Sequence, residues 1–383
     1  MKISVITGSR AEYGLLRWVL EYLKEDSDID LQLIVTGMHL SHEFGFTVNE
    51  IINDGFTITK KVEMLLSSDT PIGISKSIGL GVISFSETFA ELQPDLVLVL
   101  GDRFEIFSVA SAALVANIPI AHIHGGESTE GLIDESIRHS ITKMSHLHFT
   151  STEEYRKRVI QLGENPRYVF NYGAPGLDNI RKINLLNREE TLNVLELENE
   201  DKYFLITFHP VTLELNTSRK HIEQLLNALS KFDSFKLVFT ASNSDTDGRI
   251  ILKIISDFVE NNKNKAKLFY SLGQKKYLSA LKHSELLIGN SSSGIIEAPS
   301  FFVPSINIGN RQGGRVKAKS VIDSAQSIQG ITSSISKGIS KNFKNSIKGL
   351  INPYGNGGSS MKIFKRIKEM DLNLLRSKKF HVL

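Results

Sequence analysis

The chain has no cysteine among its 383 residues. That excludes disulfides, thiolate nucleophiles and any Cys-ligated metal centre, and it fits a reducing compartment. An excess of charge of one sign is also missing: 45 Lys and Arg stand against 42 Asp and Glu, a formal net charge of +3. Residues 337–348 are basic, but no long Lys/Arg run marks a nucleic-acid arm or a membrane patch. No stretch approaches the roughly 20 apolar residues of a membrane span, and the opening MKISVIT is too short for a signal-peptide core. A soluble cytoplasmic protein that binds neither nucleic acid nor membrane is the expectation. No repeat of fixed short period is visible.

What is present is alternation. Apolar runs at 3–7, 31–36, 96–100, 118–123 and 147–150 read as strands separated by helical periodicity, and a second series follows at 204–208, 237–240, 268–270, 286–288 and 305–308. Continuous Val, Ile and Leu mark parallel sheets covered on both faces, so the fold class is α/β with two Rossmann-like domains. The expected domains are residues 1–172 and 173–359, with a terminal helix at 360–383 packing back on the first and the polar stretch 176–201 connecting the two. Two such domains facing a central cleft would take a ligand at the carboxyl ends of their strands.

Five clusters fall just after strands. GNSSSGIIE (289–297) puts hydroxyls and a glycine before an expected helix, which would aim N–H groups, Ser291 and Ser292 at an anion and place Glu297 on an attached sugar. TGSRAEYG (7–14) offers Arg10 to a diphosphate, and GDRFE (101–105) sets Asp102 beside Arg103, either as catalytic groups or with Asp102 capping the next helix. AHIHGGE (121–127) is followed by DESIRH (134–139); in extended backbone His122 and His124 point the same way, and Asp134 and Arg138 are spaced to pair on a helix face. A divalent-metal site from the two histidines is the weaker reading, since no complementary ligand motif accompanies them. TFHPVT (207–212) leaves His209 at a strand tip as a candidate acid, base or phosphate partner.

Taken with VTGMHL (35–40) and INIGNRQGGR (306–315), these motifs resemble the hydrolysing UDP-N-acetylglucosamine 2-epimerases, especially the bacterial branch that feeds sialic acid synthesis. The match runs through about residues 1 to 320. The resemblance implies a glycosyltransferase-B type fold, UDP in the cleft, a homodimer, and no metal or nicotinamide cofactor. The implied reaction converts UDP-N-acetylglucosamine and water to N-acetylmannosamine and UDP through 2-acetamidoglucal. Asp102 and Asp134 are the implied acid and base, with His209 near the diphosphate; Arg10, Arg103, Asn243, Ser291, Ser292, Glu297 and Arg311 are implied UDP contacts. Two departures stand out. Some relatives have glutamate where this chain has His124, so either His124 or Glu127 takes that role, and Gly14 stands where some carry a serine. A sister enzyme acting on UDP-N,N'-diacetylbacillosamine is the closest alternative; a non-hydrolysing epimerase is a more distant one.

Overall fold

A computed structural model describes residues 1–68, 70–129, 133–210, 217–241, 248–375 and 377–382. The apolar runs become strands buried on both faces. Leu96–Leu100, LVLVL, is buried at every position. Alternate residues divide between two cores: Leu96, Leu98 and Leu100 join Ile3, Val5 and Leu33 on one face, and Val97 and Val99 join Ile6 and Ile34 on the other.

The chain forms two units, residues 1–127, 133–179 and 357–383, and residues 128–132 and 180–356. In the first, β1 (Lys2–Thr7), β2 (Asp30–Thr36), β3 (Lys60–Val62), β4 (Leu96–Leu100), β5 (Ile120–Ile123), β6 (Leu147–Thr150) and β7 (Val169–Asn171) make a parallel sheet in the order 3-2-1-4-5-6-7. In the second, β8 (Tyr203–Thr207), β9 (Lys236–Thr240), β10 (Ala266–Phe269), β11 (Leu286–Gly289), β12 (Ser305–Ile308) and β13 (Val321–Ser324) run parallel in the order 10-9-8-11-12-13. This is the doubly wound α/β class, twice. Each order reverses at its centre, between β1 and β4 and between β8 and β11, and such a reversal opens a crevice beyond the carboxyl ends of the two strands.

Two expectations need correction. The stretch 176–201 is not a plain connection: it holds helices Leu177–Lys182 and Arg188–Val194, the latter closed by an Asn187/Glu190 capping box. Leu192, Leu195 and Leu197 enter a core cluster with Leu205 and Leu287. Helices of one or two turns are too short to show periodicity in a polar background. The terminal helix is also shorter than read, ending at Glu369 before a 3-10 turn at Leu372–Leu375.

That helix, Ser359–Glu369, belongs to the first unit, with Ile363 and Ile367 in the core alongside Leu16 and Leu20. The Asp178 carboxylate, some 180 positions earlier, accepts the N–H groups of Gly358, Ser359 (3.2 Å) and Ser360 (2.7 Å) and so caps it. Beyond it, Lys378 reaches the buried Glu164 (2.7 Å), which also meets Lys143 (2.6 Å) and His148 Nε2 (3.1 Å). Among the described residues no helix is long and apolar enough to cross a membrane.

Candidate active site

The β1/β4 crevice is built from charged groups. Ser9 caps helix Arg10–Glu25, its hydroxyl accepting the Glu12 N–H (3.4 Å), and the Glu12 carboxylate turns back to accept the Gly8 N–H at 2.6 Å. Burial pushes the Glu12 carboxyl up to about 7; Arg103 opposes the rise and Glu105 reinforces it. After β4, Gly101 turns the chain at φ 85°. The next helix, Phe104–Val115, takes Arg103 as its N-cap, so Asp102 is not the helix cap. Instead the Asp102 carboxylate pairs with Arg138, a guanidinium only 2% exposed that also lies 3.6 Å from Glu135. Arg103 donates through Nε and Nη2 to the fully buried Glu105 (3.2 and 3.1 Å). Arg10 is about half exposed, 4.0 Å from Glu50, and Asp134 stands in the first turn of helix Ile133–Met144.

The two histidines of the third motif do not point the same way. β5 ends at Ile123, and His124 adopts φ 67°, which breaks the extended alternation. His122 donates from Nε2 to the Gly101 carbonyl (2.8 Å) and accepts from the Thr142 hydroxyl at Nδ1 (3.3 Å). Burial pushes its pKa down to about 3, so it is a neutral structural imidazole under the β4 turn. His124 pairs through Nδ1 with Glu127, whose Oε1 also accepts from Ser151 (2.8 Å). Its buried Nε2 has no hydrogen-bond partner among the described residues. A carboxylate that orients an imidazole and leaves the other nitrogen open is the arrangement of an acid–base dyad.

The β8/β11 crevice is built from amides and hydroxyls. Gly289 lies opposite Thr207 in the register and holds φ 143°; a Cβ there would come within 1.9 Å of the Thr207 carbonyl oxygen. That close approach brings fully buried Asn290 beside the strand tip. Its Oδ1 accepts the His209 N–H (2.7 Å) and its Nδ2 donates to the His209 carbonyl (2.8 Å), holding the backbone of His209 from both sides. The Asn290 carbonyl accepts from Arg311 Nη1 (3.1 Å) and Gln312 Nε2 (2.9 Å). Burial first, then the Arg311 charge, pushes the His209 pKa down to about 3, and its Nδ1 has no partner among the described residues. Thr207 and Thr240 join their hydroxyls at 2.6 Å.

The expected helix after Ser292 is a single turn, Ser293–Ile296, and Glu297 is its C-cap rather than a residue inside a longer helix. The N–H groups of Gly294 (3.2 Å) and Ile295 (2.9 Å) already bond to the Ser291 and Ser292 carbonyls. A one-turn helix has little dipole, so the hydroxyls of Ser291 and Ser292, both partly exposed, remain as the donors this loop offers. Glu297 is partly buried, and its charge adds to burial in pushing the Tyr277 hydroxyl up to about 12.

The structure therefore gathers Asp102 and Arg103 near one crevice and His209, Ser291, Ser292 and Arg311 around the other. Asn243 lies outside the described residues. Sequence reasoning passed over Glu12 and Asn290. Glu12 carried a signal in its place within the first helical turn beside a glycine loop; Asn290 carried none, because its role depends on a backbone 81 positions away.

A family model described as UDP-N-acetylglucosamine 2-epimerase matches residues 21–368. The chain is 45% identical over 380 residues to the GDP/UDP-N,N'-diacetylbacillosamine 2-epimerase (hydrolyzing) of Campylobacter jejuni, covering 99% of this chain and 98% of that one. It is 43% identical over 372 residues to polysialic acid biosynthesis protein P7 of Escherichia coli, covering 96% and 94%. Among solved structures, UDP-GlcNAc 2-epimerase from Neisseria meningitidis bound to UDP-GlcNAc superposes with a TM-score of 0.85 at 19% identity, covering 97% of this chain and 100% of that one. With these two sheets, these crevices and these relatives, the chain belongs to the UDP-N-acetylglucosamine 2-epimerase family, among its hydrolysing members.

Proposed function

We propose that the protein releases UDP from a UDP-linked 2-acetamido sugar with inversion at C2, and that the sugar is N,N'-diacetylbacillosamine. The observation that carries the reaction is the pair of proton-handling arrangements in the first unit, Asp102 on buried Arg138 and His124 on Glu127 and Ser151. The C2 proton is weakly acidic, and its removal becomes feasible when coupled to departure of the diphosphate from C1. One of these groups takes the proton while the C1–O bond breaks, leaving a 2-acetamidoglucal. Water then adds at C1 and a proton returns to C2 from the opposite face, which requires a donor on that side. Asp134, at the start of its helix, completes the set of carboxylates.

Charge grows on the leaving diphosphate. Arg10, Arg103 and Arg311, the hydroxyls of Ser291 and Ser292 and neutral His209 supply donors for it, and Glu297 takes the ribose hydroxyls. A neutral imidazole at 209 gains a proton more readily once an anion is beside it. Asn243 is assigned to UDP on the motif resemblance alone. The glutamate that some relatives carry at position 124 is replaced here by an imidazole with a carboxylate behind it, so His124 is the reacting group and Glu127 its orienter.

For the sugar, the support is that a 45% and a 36% identical relative are both named for N,N'-diacetylbacillosamine. UDP-N-acetylglucosamine, giving N-acetylmannosamine for sialic acid synthesis, is the second reading. It is favoured by the 43% identical polysialic acid protein and by a 34% identical Neisseria meningitidis relative named UDP-N-acetylglucosamine 2-epimerase. A homodimer belongs to either reading. Proton NMR in deuterated water with each UDP-sugar tests them together. The expected result is free UDP and a 2-epimeric sugar deuterated at C2, with the larger kcat/KM on the bacillosamine derivative. Free UDP with the C2 proton and configuration retained sinks the epimerase mechanism, and a larger kcat/KM on UDP-N-acetylglucosamine reverses the choice of sugar.

A further inference from the structure

We propose that Glu12 is a positioning residue that couples proton uptake to diphosphate binding, because it buries a carboxyl with one open oxygen against the Arg103–Glu105 ion pair at the β1/β4 crevice. This rests on the UDP reading above and goes beyond it.

Three turns converge on this carboxyl. A Cβ on Gly8 would lie 3.4 Å from both Glu12 Oε2 and Glu105 Cβ, so little more than the methyl group that glycine lacks separates the two acidic side chains. From the β2 side, a Cβ on Gly37 would fall 3.1 Å from Glu105 Oε1 and 3.1 Å from the Gly8 carbonyl. Two carboxyls are thus buried together, Glu12 only 5% exposed and Glu105 fully buried, beside one guanidinium whose side chain is 31% exposed. With Glu12 protonated, the three groups sum to zero charge; ionised, they leave an uncompensated negative charge in a buried place, which is costly.

The hydrogen bonding says where the proton goes. Oε2 accepts from Gly8 N–H, and Oε1 is buried with no hydrogen-bond partner among the described residues. A proton on Oε1 removes a negative charge that competes with an incoming anion for Arg103, whereas the ionised carboxylate keeps that charge beside the guanidinium. An incoming diphosphate therefore favours protonated Glu12, and by reciprocity protonation favours the diphosphate.

The groups that set the titration are few. Helix Phe104–Val115 and its cap present Arg103 and Glu105, and the turn after β1 presents only the backbone of Gly8 and Ser9. The β2 side presents His39, both of whose ring nitrogens are bonded, to Thr7 (3.0 Å) and Thr47 (2.8 Å), and which burial holds neutral with a pKa of about 4. Arg10 on the same helix lies near Glu50. With Glu12 raised to about 7, the exchange falls near neutral pH.

Isothermal titration calorimetry with UDP, in buffers of different ionisation enthalpy between pH 6.5 and 8.5, tests this on the native protein and Glu12→Gln. The phosphate's own titration is common to both and cancels in the difference. The native protein should take up protons that the variant does not, and its affinity should fall by up to tenfold per pH unit above about pH 7, relative to a flatter variant. Equal proton uptake in the two proteins overturns the proposal, as does a folded Glu12→Gln protein that no longer binds UDP, because the neutral isostere should serve. Failure of the native protein to bind UDP overturns both this proposal and the UDP reading. Should Glu12→Gln not fold, carboxyl carbon NMR of the native protein decides. A glutamate resonance titrating near neutrality must move to higher pH with UDP; its absence, or its indifference to UDP, overturns the coupling.

Discussion

The two crevices come from the same reversal of strand order, yet the β1/β4 crevice is built from paired acidic and basic side chains and the β8/β11 crevice from amides, hydroxyls, one arginine and the neutral imidazole of His209. Asp102–Arg138, Arg103–Glu105 and His124–Glu127 can exchange protons or redirect charge. Asn290 and Gln312 cannot; they can only hold, and Asn290 holds the backbone of His209 at both polar atoms. On the proposed reading the difference is a division of labour, with proton transfer at the sugar confined to the first sheet, which shares the diphosphate through Arg10 and Arg103, and the second sheet left to recognition of the nucleotide.

The sharpest way to break that division is kinetic. Asp102→Asn should lower kcat by about 10²–10⁴-fold with little change in KM, whereas Arg311→Ala should raise KM about tenfold or more with kcat largely kept. Steady-state UDP release, at a temperature where melts show both variants folded, separates the two. Should both substitutions act on the same parameter, the division fails.

A structural contrast comes next. Gly101 after β4 and Gly289 at the end of β11 hold corresponding places and both have positive φ, but a Cβ on Gly101 meets nothing within 4 Å while one on Gly289 runs into the Thr207 carbonyl. Gly289→Ala should therefore cost about 3 kcal/mol or more, and Gly101→Ala only the left-handed strain of about 1–2 kcal/mol. Urea denaturation followed by circular dichroism measures both.

The smallest expected effect is in pH. Burial lowers His39, His122, His146 and His148 in the first unit, against His209 and His283 in the second. A lowered histidine binds its proton more tightly when unfolded, so each contributes stability that is present above pH about 6.5 and lost as pH falls toward its folded value, at most ~1.4 kcal/mol per pH unit. Glu12, raised to about 7, has the opposite sign and offsets one of them between about pH 4.5 and 7. Below pH 4.5 Glu164, held down to about 2 where His148 and two lysines outweigh its burial, adds to the loss. The first unit should therefore lose stability faster on acidification. The single tryptophan, Trp18, bonded to Asn179 at 2.8 Å, reports that unit by fluorescence; equal slopes by fluorescence and by circular dichroism would remove the asymmetry.

The central strands were legible because burial on both faces writes itself as unbroken Val, Ile and Leu. The strands that sequence reading missed, β3, β7 and β13, are all sheet edges. Edges are short and carry polar residues, as in KKV and VIDS, so they lack the run that marks a buried strand. The motif loops were legible by residue type. The roles within them were not, where those depend on partners distant in sequence: Arg138 under Asp102 comes from 36 residues away, and the left-handed turn at His124 falls at the chain's exit from β5, which the run of apolar residues does not mark.

Helix Ser359–Glu369, capped by Asp178 and seated in the first core, makes that unit discontinuous, since its sheet is complete by Asn171 but its last helix is encoded after all of the second. During synthesis from the N-terminus the ribosome releases the second unit whole before the first can close. The surface of helix Arg10–Glu25 that Ile363 and Ile367 cover stays open to solvent or a chaperone for the time taken to translate nearly half the chain, about ten to forty seconds at ordinary rates.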